Sequence, residues 1–265
     1  MTHSLSPAMH RAGFAAVGLH WSYERIECDG AGLSGVVDAV GPEWLGFSVT
    51  MPGKAAAAAY AADRSERVDR LGVANTLVRR AGGWFAENTD VDGVLRALQA
   101  GGVPVGPSLV LGGGGTAAAV LAGLAERDPG GSVLLAGRRV ESTAGALELA
   151  GQLGLRGSVV GWTVDEIAAA AADVELVVST VPAGGADGFA AELARVPALF
   201  DVVYHPWPTP LAAAAGPGRI TVTGLDLLLH QGLRQFELFT GRPAPARAMR
   251  DALRAAAGTD LPLPL

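Results

Sequence analysis

One lysine stands out in a chain whose other basic residues are all arginine. Lys and Arg together number 20, and Lys54 is the single lysine. An arginine stays charged under nearly all conditions, whereas a lysine ammonium is a compact charge that can donate and exchange a proton. Lys54 is therefore a candidate for proton-transfer chemistry; the alternative is chance retention at a solvated helix start. Only two asparagines occur, Asn75 and Asn88, and each precedes a threonine.

A glycine-rich run offers a second kind of chemistry. Gly112, Gly114 and Ala117 fit the pattern G-x-G-x-x-A, between the short apolar strand Leu109–Leu111 and a helix of small residues. The two glycines permit a tight turn and the close approach of a pyrophosphate, and the alanine permits close packing of helix on strand. The helix N-terminus adds N–H donors and a partial positive charge. The placement between strand and helix favours dinucleotide binding, although glycine is common throughout this chain.

The strand that follows, Val133–Ala136, indicates which dinucleotide binds. An NAD site normally has an acidic residue near the end of this strand, where it accepts a hydrogen bond from the ribose 2′-hydroxyl. Here the strand is followed by Gly137, Arg138 and Arg139, and the first acidic residue is Glu141. Guanidinium groups bind phosphate bidentately. The arginine pair therefore favours NADP, with a solvated pair at a strand end as the alternative.

The elements that must position these residues alternate between strands and helices. The predicted strands are Trp21–Ile26, Leu45–Thr50, Ala74–Val78, Gly83–Glu87, Leu109–Leu111, Val133–Ala136, Val174–Thr180 and Leu199–Tyr204. The predicted helices are Gly53–Ala62, Val91–Ala100, Thr116–Glu126, Leu225–Thr240 and Pro245–Ala257. Strands that alternate with helices predict a parallel sheet, so the fold class is α/β.

Composition excludes several classes of protein. The 265 residues are 49% apolar and 17% charged, which is typical of a globular protein with two modest domains. No apolar run approaches the ~20 residues that span a bilayer, and no signal peptide is evident. The single cysteine, Cys28, excludes an intrachain disulfide and fits a cytoplasmic protein. A net charge of −6 without a basic stripe argues against nucleic acid as a partner, and His10, His205 and His230 lack metal-ligand spacing, so no metal is expected.

Eight blocks of sequence, in order and with matching spacing, resemble the shikimate dehydrogenase family over nearly the whole chain, and its actinobacterial type most of all. The blocks are SLSPAMH (4–10), SVTMPGK (48–54), GVANTL (72–77), ENTDVDG (87–93), VLGGGGTA (110–117), VVSTVPAG (177–184), DVVYHPWPTPL (201–211) and GLDLLLHQGLRQFELFTG (224–241). The resemblance implies an N-terminal α/β substrate domain, residues 1–90, that is completed by C-terminal helices in 224–265. It also implies a Rossmann dinucleotide-binding domain at 91–223 and the NADPH-dependent reduction of 3-dehydroshikimate in aromatic amino acid biosynthesis.

The resemblance also implies roles for individual residues. Lys54 and Asp90 match the catalytic pair of the family. Residues that match its substrate-binding positions are Ser4 and Ser6 for the carboxylate, Tyr204 near the carboxylate, and Thr50, Asn75 and Gln231 around the hydroxyls. Residues that match its cofactor site are Gly112, Gly114, Gly115, Thr116, Ala117, Arg138, Arg139, Thr180 and Gly224.

The implied pair makes chemical sense. Hydride delivery to a ketone builds negative charge on its oxygen, so the site needs a proton donor or a cation there. Lys54 can serve as both, and Asp90 could hold the ammonium and orient the substrate ring. Gln231 lies on one helix face with Gly224, Leu228 and Gln235 and can point into a cleft. Leu229, Leu233 and Phe236 form a neighbouring stripe that we assign to the core.

Three departures from the family pattern carry expectations of their own. The family usually begins with a strand of the type GVIGxPIxHS before the serine block, whereas this chain starts Met1-Thr2-His3-Ser4. We expect the natural start about ten residues upstream, the length of a strand and a turn, which mass spectrometry of the native protein would test. The usual Asn-Arg-Thr is Gly137-Arg138-Arg139, so an adenine contact is lost, and a usual methionine is Leu227, which should preserve packing near the nicotinamide.

Two alternatives to this function remain open. The substrate could be quinate or an aminoshikimate of secondary metabolism, or the chain could be a ligand sensor without catalysis. Retention of the only lysine together with Asp90 argues against a sensor, which needs no proton donor. The sequence is equally compatible with a monomer and a homodimer.

Overall fold

The computed structural model describes residues 4–216 and 218–265, and it divides into two compact units. The first contains the described residues up to Gly93 together with Leu228–Leu263, and the second contains Val94–Leu227. The strand expected upstream of Ser4 lies outside the described residues. Each unit contains its own sheet and helices, in agreement with the α/β class expected from the sequence.

Helices and strands alternate along most of the described chain. The α-helices are α1 (Ser6–Ala16), α2 (Leu33–Asp38), α3 (Lys54–Tyr60), α4 (Glu66–Leu71), α5 (Asp90–Ala100), α6 (Gly115–Arg127), α7 (Val140–Gln152), α8 (Val164–Ala171), α9 (Ala190–Leu193), α10 (Pro210–Ala213), α11 (Gly224–Thr240) and α12 (Ala246–Ala257). The strands are β1 (Gly46–Ser48), β2 (Asp63–Arg64), β3 (Thr76–Arg80), β4 (Gly83–Glu87), β5 (Ser108–Leu111), β6 (Ser132–Ala136), β7 (Arg156–Val159), β8 (Leu176–Ser179), β9 (Ala198–Asp201) and β10 (Ile220–Thr223). A 3₁₀ helix covers Asp187–Phe189.

The sheet of the first unit has four strands in the order β1-β3-β4-β2. β3 and β4 form a hairpin, with Val78 opposite Phe85, and β1 pairs antiparallel with β3. The short β2 pairs parallel with β4. Buried alanines and aliphatic residues of the sheet and its flanking helices, such as Leu33, Ala57 and Leu77, form the core.

The predicted strand Trp21–Ile26 is wrong, because these residues form no regular secondary structure. The aromatic side chains of this segment pack on α1 instead: the Trp21 ring lies edge-on to Phe14 with centroids 5.3 Å apart, and the Tyr23 ring stacks on His10. The Tyr23 carbonyl accepts a hydrogen bond from the Arg11 guanidinium at 2.5 Å. An alternating apolar pattern can thus be satisfied by a helix as well as by a neighbouring strand.

The sheet of the second unit has six parallel strands in the order β7-β6-β5-β8-β9-β10. This is the strand order of a Rossmann fold, whose direction reverses between β5 and β8. Successive side chains of a strand point to opposite faces. Accordingly, Val110 of β5 belongs to the core on one face, and Leu109 and Leu111 belong to the core on the other.

β9 ends earlier than predicted, at Asp201 rather than Tyr204. The buried Asp201 carboxylate accepts hydrogen bonds from the Val203 amide at 3.2 Å and from the Thr209 hydroxyl at 2.7 Å. These bonds turn the chain out of the sheet and close a loop that contains Tyr204. Burial of the Asp201 side chain raises its pKa above the ordinary aspartate value.

Candidate active site

The side chains of Lys54 and Asp90 meet in the first unit, although 36 positions separate them in the sequence. Lys54 Nζ lies 2.5 Å from Asp90 Oδ2, and each side chain is 13% exposed. A charge-assisted hydrogen bond in a largely dry setting is stronger than a neutral one. The pair therefore forms a fixed but solvent-accessible ammonium–carboxylate site.

Backbone contacts position Lys54 at the first residue of α3. Its carbonyl oxygen accepts a hydrogen bond from the Ala74 amide at 2.9 Å, which ties the helix start to the chain just before β3. The residue after Ala74 is Asn75, and its carbonyl accepts a hydrogen bond from the Val49 amide at 2.7 Å. Three separate segments are thereby joined around the lysine.

Asp90 begins α5, where the helix geometry fixes the direction of its side chain. The Asp90 amide donates to Asn88 Oδ1 at 3.2 Å, and the Asn88 side chain in turn donates to the Val73 carbonyl at 3.1 Å. A carboxylate in the first turn of a helix also interacts favourably with the partial positive charge there. Asp92 shares that turn, but it pairs with Arg67 at 2.8 Å and lies outside the cluster.

Asn75 links the two catalytic candidates to the C-terminal helix. Its Nδ2 lies 2.8 Å from Asp90 Oδ1 and 3.3 Å from Gln231 Oε1. Its Oδ1 accepts from the Thr89 amide at 2.8 Å and from the Thr76 hydroxyl at 2.8 Å. The structure thus brings together four of the residues expected in the site: Lys54, Asp90, Asn75 and Gln231.

A second glutamine on α11 was not expected in the site. Gln235 is 1% exposed, and its Nε2 donates to Thr76 Oγ1 at 2.9 Å and to the Asn75 carbonyl at 3.2 Å. Its Oε1 accepts from Ser48 Oγ at 2.8 Å. Gln235 follows Gln231 by one helical turn, and the sequence already placed both on one helix face. That i, i+4 spacing was the available signal, although only Gln231 was assigned to the site.

The other expected substrate residues lie at element ends. Ser6 is the first residue of α1, and the carbonyl of the nearby Ser4 accepts a hydrogen bond from Arg25 at 2.5 Å. Thr50 is exposed in the turn before Lys54, where its carbonyl accepts from the Gly53 amide at 2.9 Å. No described contact joins Ser4, Ser6 or Thr50 to the Lys54–Asp90 pair.

The glycine-rich loop of the second unit has the geometry of a phosphate cradle. Gly112 has φ +107°, a conformation that L side chains rarely adopt, and a Cβ there would overlap the hydroxyl of Thr180. That hydroxyl donates to the Leu111 carbonyl at 2.8 Å. A Cβ at Gly113 would overlap the carbonyl of Ser142, so the start of α7 lies directly against the loop.

The N-terminus of α6 opens from this loop. Gly114 precedes the helix and has no atom near the position of a Cβ, whereas Gly115 and Thr116 form its first turn. Ala117 is fully buried against the sheet, as its place in the motif requires. Backbone N–H groups of a 13-residue helix are therefore directed to the space beside Gly114.

Arg138 and Arg139 follow β6, and both are exposed. Within 4–216 and 218–265, no ion pair or hydrogen bond engages either guanidinium. The two exposed guanidinium groups beside the phosphate loop fit a cofactor that carries an additional phosphate.

Gly224 lies elsewhere in the same unit, where a Cβ would overlap the Val202 carbonyl and lie 2.9 Å from a ring carbon of Tyr204.

Among the described residues, no group of three or more His, Cys, Asp or Glu side chains could hold a metal ion. His10 and His230 are buried, and His205 is exposed. Nor is any helix of the described chain both long and apolar enough to cross a membrane.

Two family models match the chain. Residues 1–77 match the shikimate dehydrogenase substrate binding domain, and residues 224–254 match the shikimate 5'-dehydrogenase C-terminal domain. The shikimate dehydrogenase (NADP(+)) of Methanocella arvoryzae is 37% identical over 268 residues, covering 95% of each chain.

Solved structures give the same result. The crystal structure of Mycobacterium tuberculosis shikimate dehydrogenase is 48% identical with a TM-score of 0.91, and the match covers 96% of each chain. The shikimate 5-dehydrogenase of Thermus thermophilus, in complex with NADP(H) and shikimate, is 32% identical with a TM-score of 0.80. That match covers 96% of this chain and 95% of the Thermus chain.

Proposed function

Because the chain belongs to the shikimate dehydrogenase family, we propose that it is an oxidoreductase that reduces 3-dehydroshikimate to shikimate, reversibly, with NADPH. The observation that carries this proposal is the cluster of Lys54, Asp90, Asn75 and Gln231, in which the only lysine of the chain is held by a carboxylate at 2.5 Å. A ketone reductase needs such a proton donor next to a group that holds the substrate.

The second unit fits NADPH. Gly112 leaves room for the pyrophosphate, and Gly114, Gly115, Thr116 and Ala117 would present the N-terminus of α6 to it. Arg138 and Arg139 would hold the 2′-phosphate, and we assign Thr180 and Gly224 to the nicotinamide side. When bound, NADPH supplies the hydride.

Lys54 would act on the carbonyl oxygen of the substrate. Charge builds on this oxygen as the hydride is delivered, and the ammonium both stabilises that charge and transfers a proton from Nζ to the oxygen. In shikimate oxidation the neutral amine takes the proton back. Asp90 Oδ2 holds Nζ throughout, so the amine stays directed at the reacting oxygen.

The remaining polar groups of the cluster would hold the ring of the substrate. Asp90 and Gln231 offer oxygens that accept from substrate hydroxyls, and Asn75 offers N–H donors. We assign Thr50 to the same ring and Ser4 and Ser6 to the carboxylate, together with Tyr204. Hydroxyl groups suit a carboxylate because each donates one hydrogen bond to an oxygen that can accept several.

We place the enzyme in the cytoplasm, as a monomer or a homodimer, with small molecules as its ligands and without nucleic acid or membrane partners. Cys28 is a free thiol, which fits a reducing compartment. The negative net charge of −6 also disfavours binding to nucleic acid.

A substrate panel tests the proposal. The wild-type protein is assayed with NADP+ and shikimate, quinate or an aminoshikimate, by absorbance of the reduced cofactor. We expect the highest kcat/KM with shikimate. A higher kcat/KM with quinate or the aminoshikimate would assign the chain to that substrate, and binding without turnover of any of them would make it a sensor.

A further inference from the structure

Thr76 is the first residue of β3 and directly follows Asn75 in the chain. Its hydroxyl has three described partners: Gln235 Nε2 at 2.9 Å, Asn75 Oδ1 at 2.8 Å and Thr89 Oγ1 at 3.4 Å. Thr76 is 0% exposed, so it offers no surface to a substrate. Any effect of its hydroxyl on the reaction must therefore pass through these neighbours.

The orientation of the Gln235 amide sets the first of these bonds. Gln235 Nε2 lies 3.2 Å from the Asn75 carbonyl oxygen, which can only accept, so this end of the amide is the nitrogen. The same nitrogen donates its second proton to Thr76 Oγ1. The other end, Oε1, accepts from Ser48 Oγ at 2.8 Å. Thr76 Oγ1 therefore receives a hydrogen bond and keeps its own proton to give.

The Thr76 proton goes to the Asn75 side chain. Asn75 Oδ1 lies at 2.8 Å and Thr89 Oγ1 at 3.4 Å, and the shorter contact has the geometry of a normal hydrogen bond between oxygens. The Thr89 amide, which can only donate, lies 2.8 Å from the same Oδ1 and requires the same orientation of Asn75. With two donors on Oδ1, Asn75 directs its Nδ2 to Asp90 Oδ1, at 2.8 Å.

These bonds form a chain with one direction, from α11 to the lysine. Gln235 donates to Thr76, Thr76 donates to Asn75, and Asn75 donates to Asp90, which holds Lys54. Hydrogen bonds that follow one another in this way polarise and strengthen each other. Thr76 accepts and donates through a single oxygen, so loss of this hydroxyl breaks two links at once.

We propose that Thr76 is a positioning residue, whose hydroxyl fixes the Asn75 amide and, through it, the Asp90 carboxylate that holds Lys54. This inference rests on the proposed function, because it takes Lys54 and Asp90 to be the catalytic pair. Thr76 gives no proton to the substrate. It limits the movement of Asp90, and a catalytic group displaced by about 1 Å can lose a large factor in rate.

Two substitutions separate the hydroxyl from the shape of the side chain. Thr76→Val keeps the branched shape without the hydroxyl, and Thr76→Ser keeps the hydroxyl without the methyl group. The kcat is measured with saturating 3-dehydroshikimate and NADPH, per NADPH-binding site, so that unfolded protein is not counted. We expect kcat to fall about tenfold in Thr76→Val, the scale of one neutral hydrogen bond, and by less than about threefold in Thr76→Ser. A valine variant as fast as the wild type, or a serine variant as slow as the valine variant, would overturn the proposal.

A second background shows whether Thr76 acts through Asp90. Effects of independent sites on a free energy add, whereas a positioning residue has no effect once the group that it positions is gone. In Asp90→Asn, the additional Thr76→Val substitution should therefore lower kcat by less than about twofold. The same tenfold loss in both backgrounds would contradict the proposal.

The matched control is Thr240→Val, which also removes a hydroxyl from the first unit. Thr240 Oγ1 donates to the Phe236 carbonyl of its own helix at 2.8 Å, so this variant should keep the kcat of the wild type. If Thr76→Val does not fold, Thr76→Ala removes the same hydroxyl and is judged by the same criteria.

Failure of the inference is distinguishable from failure of the proposed function. A wild-type protein that does not reduce 3-dehydroshikimate contradicts the function itself. A wild type that turns over, and that loses activity in Lys54→Met but not in Thr76→Val, contradicts only the role of Thr76.

Discussion

Asp90 uses its two carboxylate oxygens for different partners: Oδ2 accepts from Lys54 Nζ at 2.5 Å, and Oδ1 accepts from Asn75 Nδ2 at 2.8 Å. A carboxylate held at both oxygens cannot rotate freely. Asp90 therefore fixes the ammonium and the amide relative to each other.

Replacement of Asp90 should impair catalysis because Lys54 would lose its anchor. We expect Asp90→Asn to lower kcat by about 100-fold, the scale of a misplaced catalytic group, in NADPH oxidation with 3-dehydroshikimate. Asp92→Asn is the control, because Asp92 lies in the same helical turn but pairs with Arg67. Similar rates for both variants would show that the carboxylate at position 90 has no special role.

Replacement of Arg138 should change the choice of cofactor. Loss of a charged hydrogen bond to the 2′-phosphate should raise the KM for NADPH about tenfold to hundredfold in Arg138→Ala. The KM for NADH should stay unchanged, since NADH carries no such phosphate. Arg156→Ala, on β7 of the same unit, serves as the control. A parallel rise in KM for both cofactors would argue against phosphate recognition by Arg138.

Replacement of Gln235 should destabilise the fold. Gln235→Leu would leave the Ser48 and Thr76 hydroxyls and the Asn75 carbonyl without this buried partner. A lost partner of this kind costs about 1–3 kcal/mol in the free energy of unfolding, measured by urea denaturation. Gln152→Leu, at an exposed position of α7, should cost much less. Equal stability of the two variants would contradict the network described around Asn75.

His10 should make the stability depend on pH. Burial lowers its pKa from 6.5 to about 4, and the Gln235 side chain opposes this shift only in part. Between these two values the unfolded chain binds more protons than the folded one, so stability is complete above pH 6.5 and falls as the pH decreases toward 4. From pH 7 to pH 5 the loss assigned to His10 is about 2 kcal/mol.

Urea denaturation at pH 7 and pH 5 measures this loss. We expect His10→Gln to remove most of the pH dependence, because the side chain that resists protonation is gone. His20→Gln, which changes an exposed histidine, should keep it. An unchanged pH dependence in His10→Gln would mean that other groups cause the loss of stability in acid.

The sequence predicted those parts of the fold that have strong local signals. The alternation of short apolar strands, such as those around Leu109 and Val177, with helices predicted the parallel sheet. Helix α1 was missed, since its Ala- and Gly-containing stretch shows little amphipathic contrast. The segment Trp21–Ile26 was misassigned because alternation shows that one side is buried but not what buries it.

Part of the candidate site was also predictable from local signals in the sequence. The rarity of Lys54 and the family blocks identified residues that contact one another in the structure, including Asn75 and Gln231. Gln235 and Ser48 were not identified, because their roles depend on which atoms face each other across α11, β1 and β3. Periodicity gives the face of a helix, but hydrogen-bond direction requires coordinates.

The most direct test of the account is NADPH oxidation at 340 nm with 3-dehydroshikimate, measured on the wild type and on Lys54→Met. We predict rapid turnover by the wild type with NADPH rather than NADH, and a kcat lower by about 10²–10⁴-fold in the variant, the usual contribution of a general acid. Shikimate binding to the variant should be nearly unchanged. A wild type without turnover, or a variant as fast as the wild type, would contradict the account.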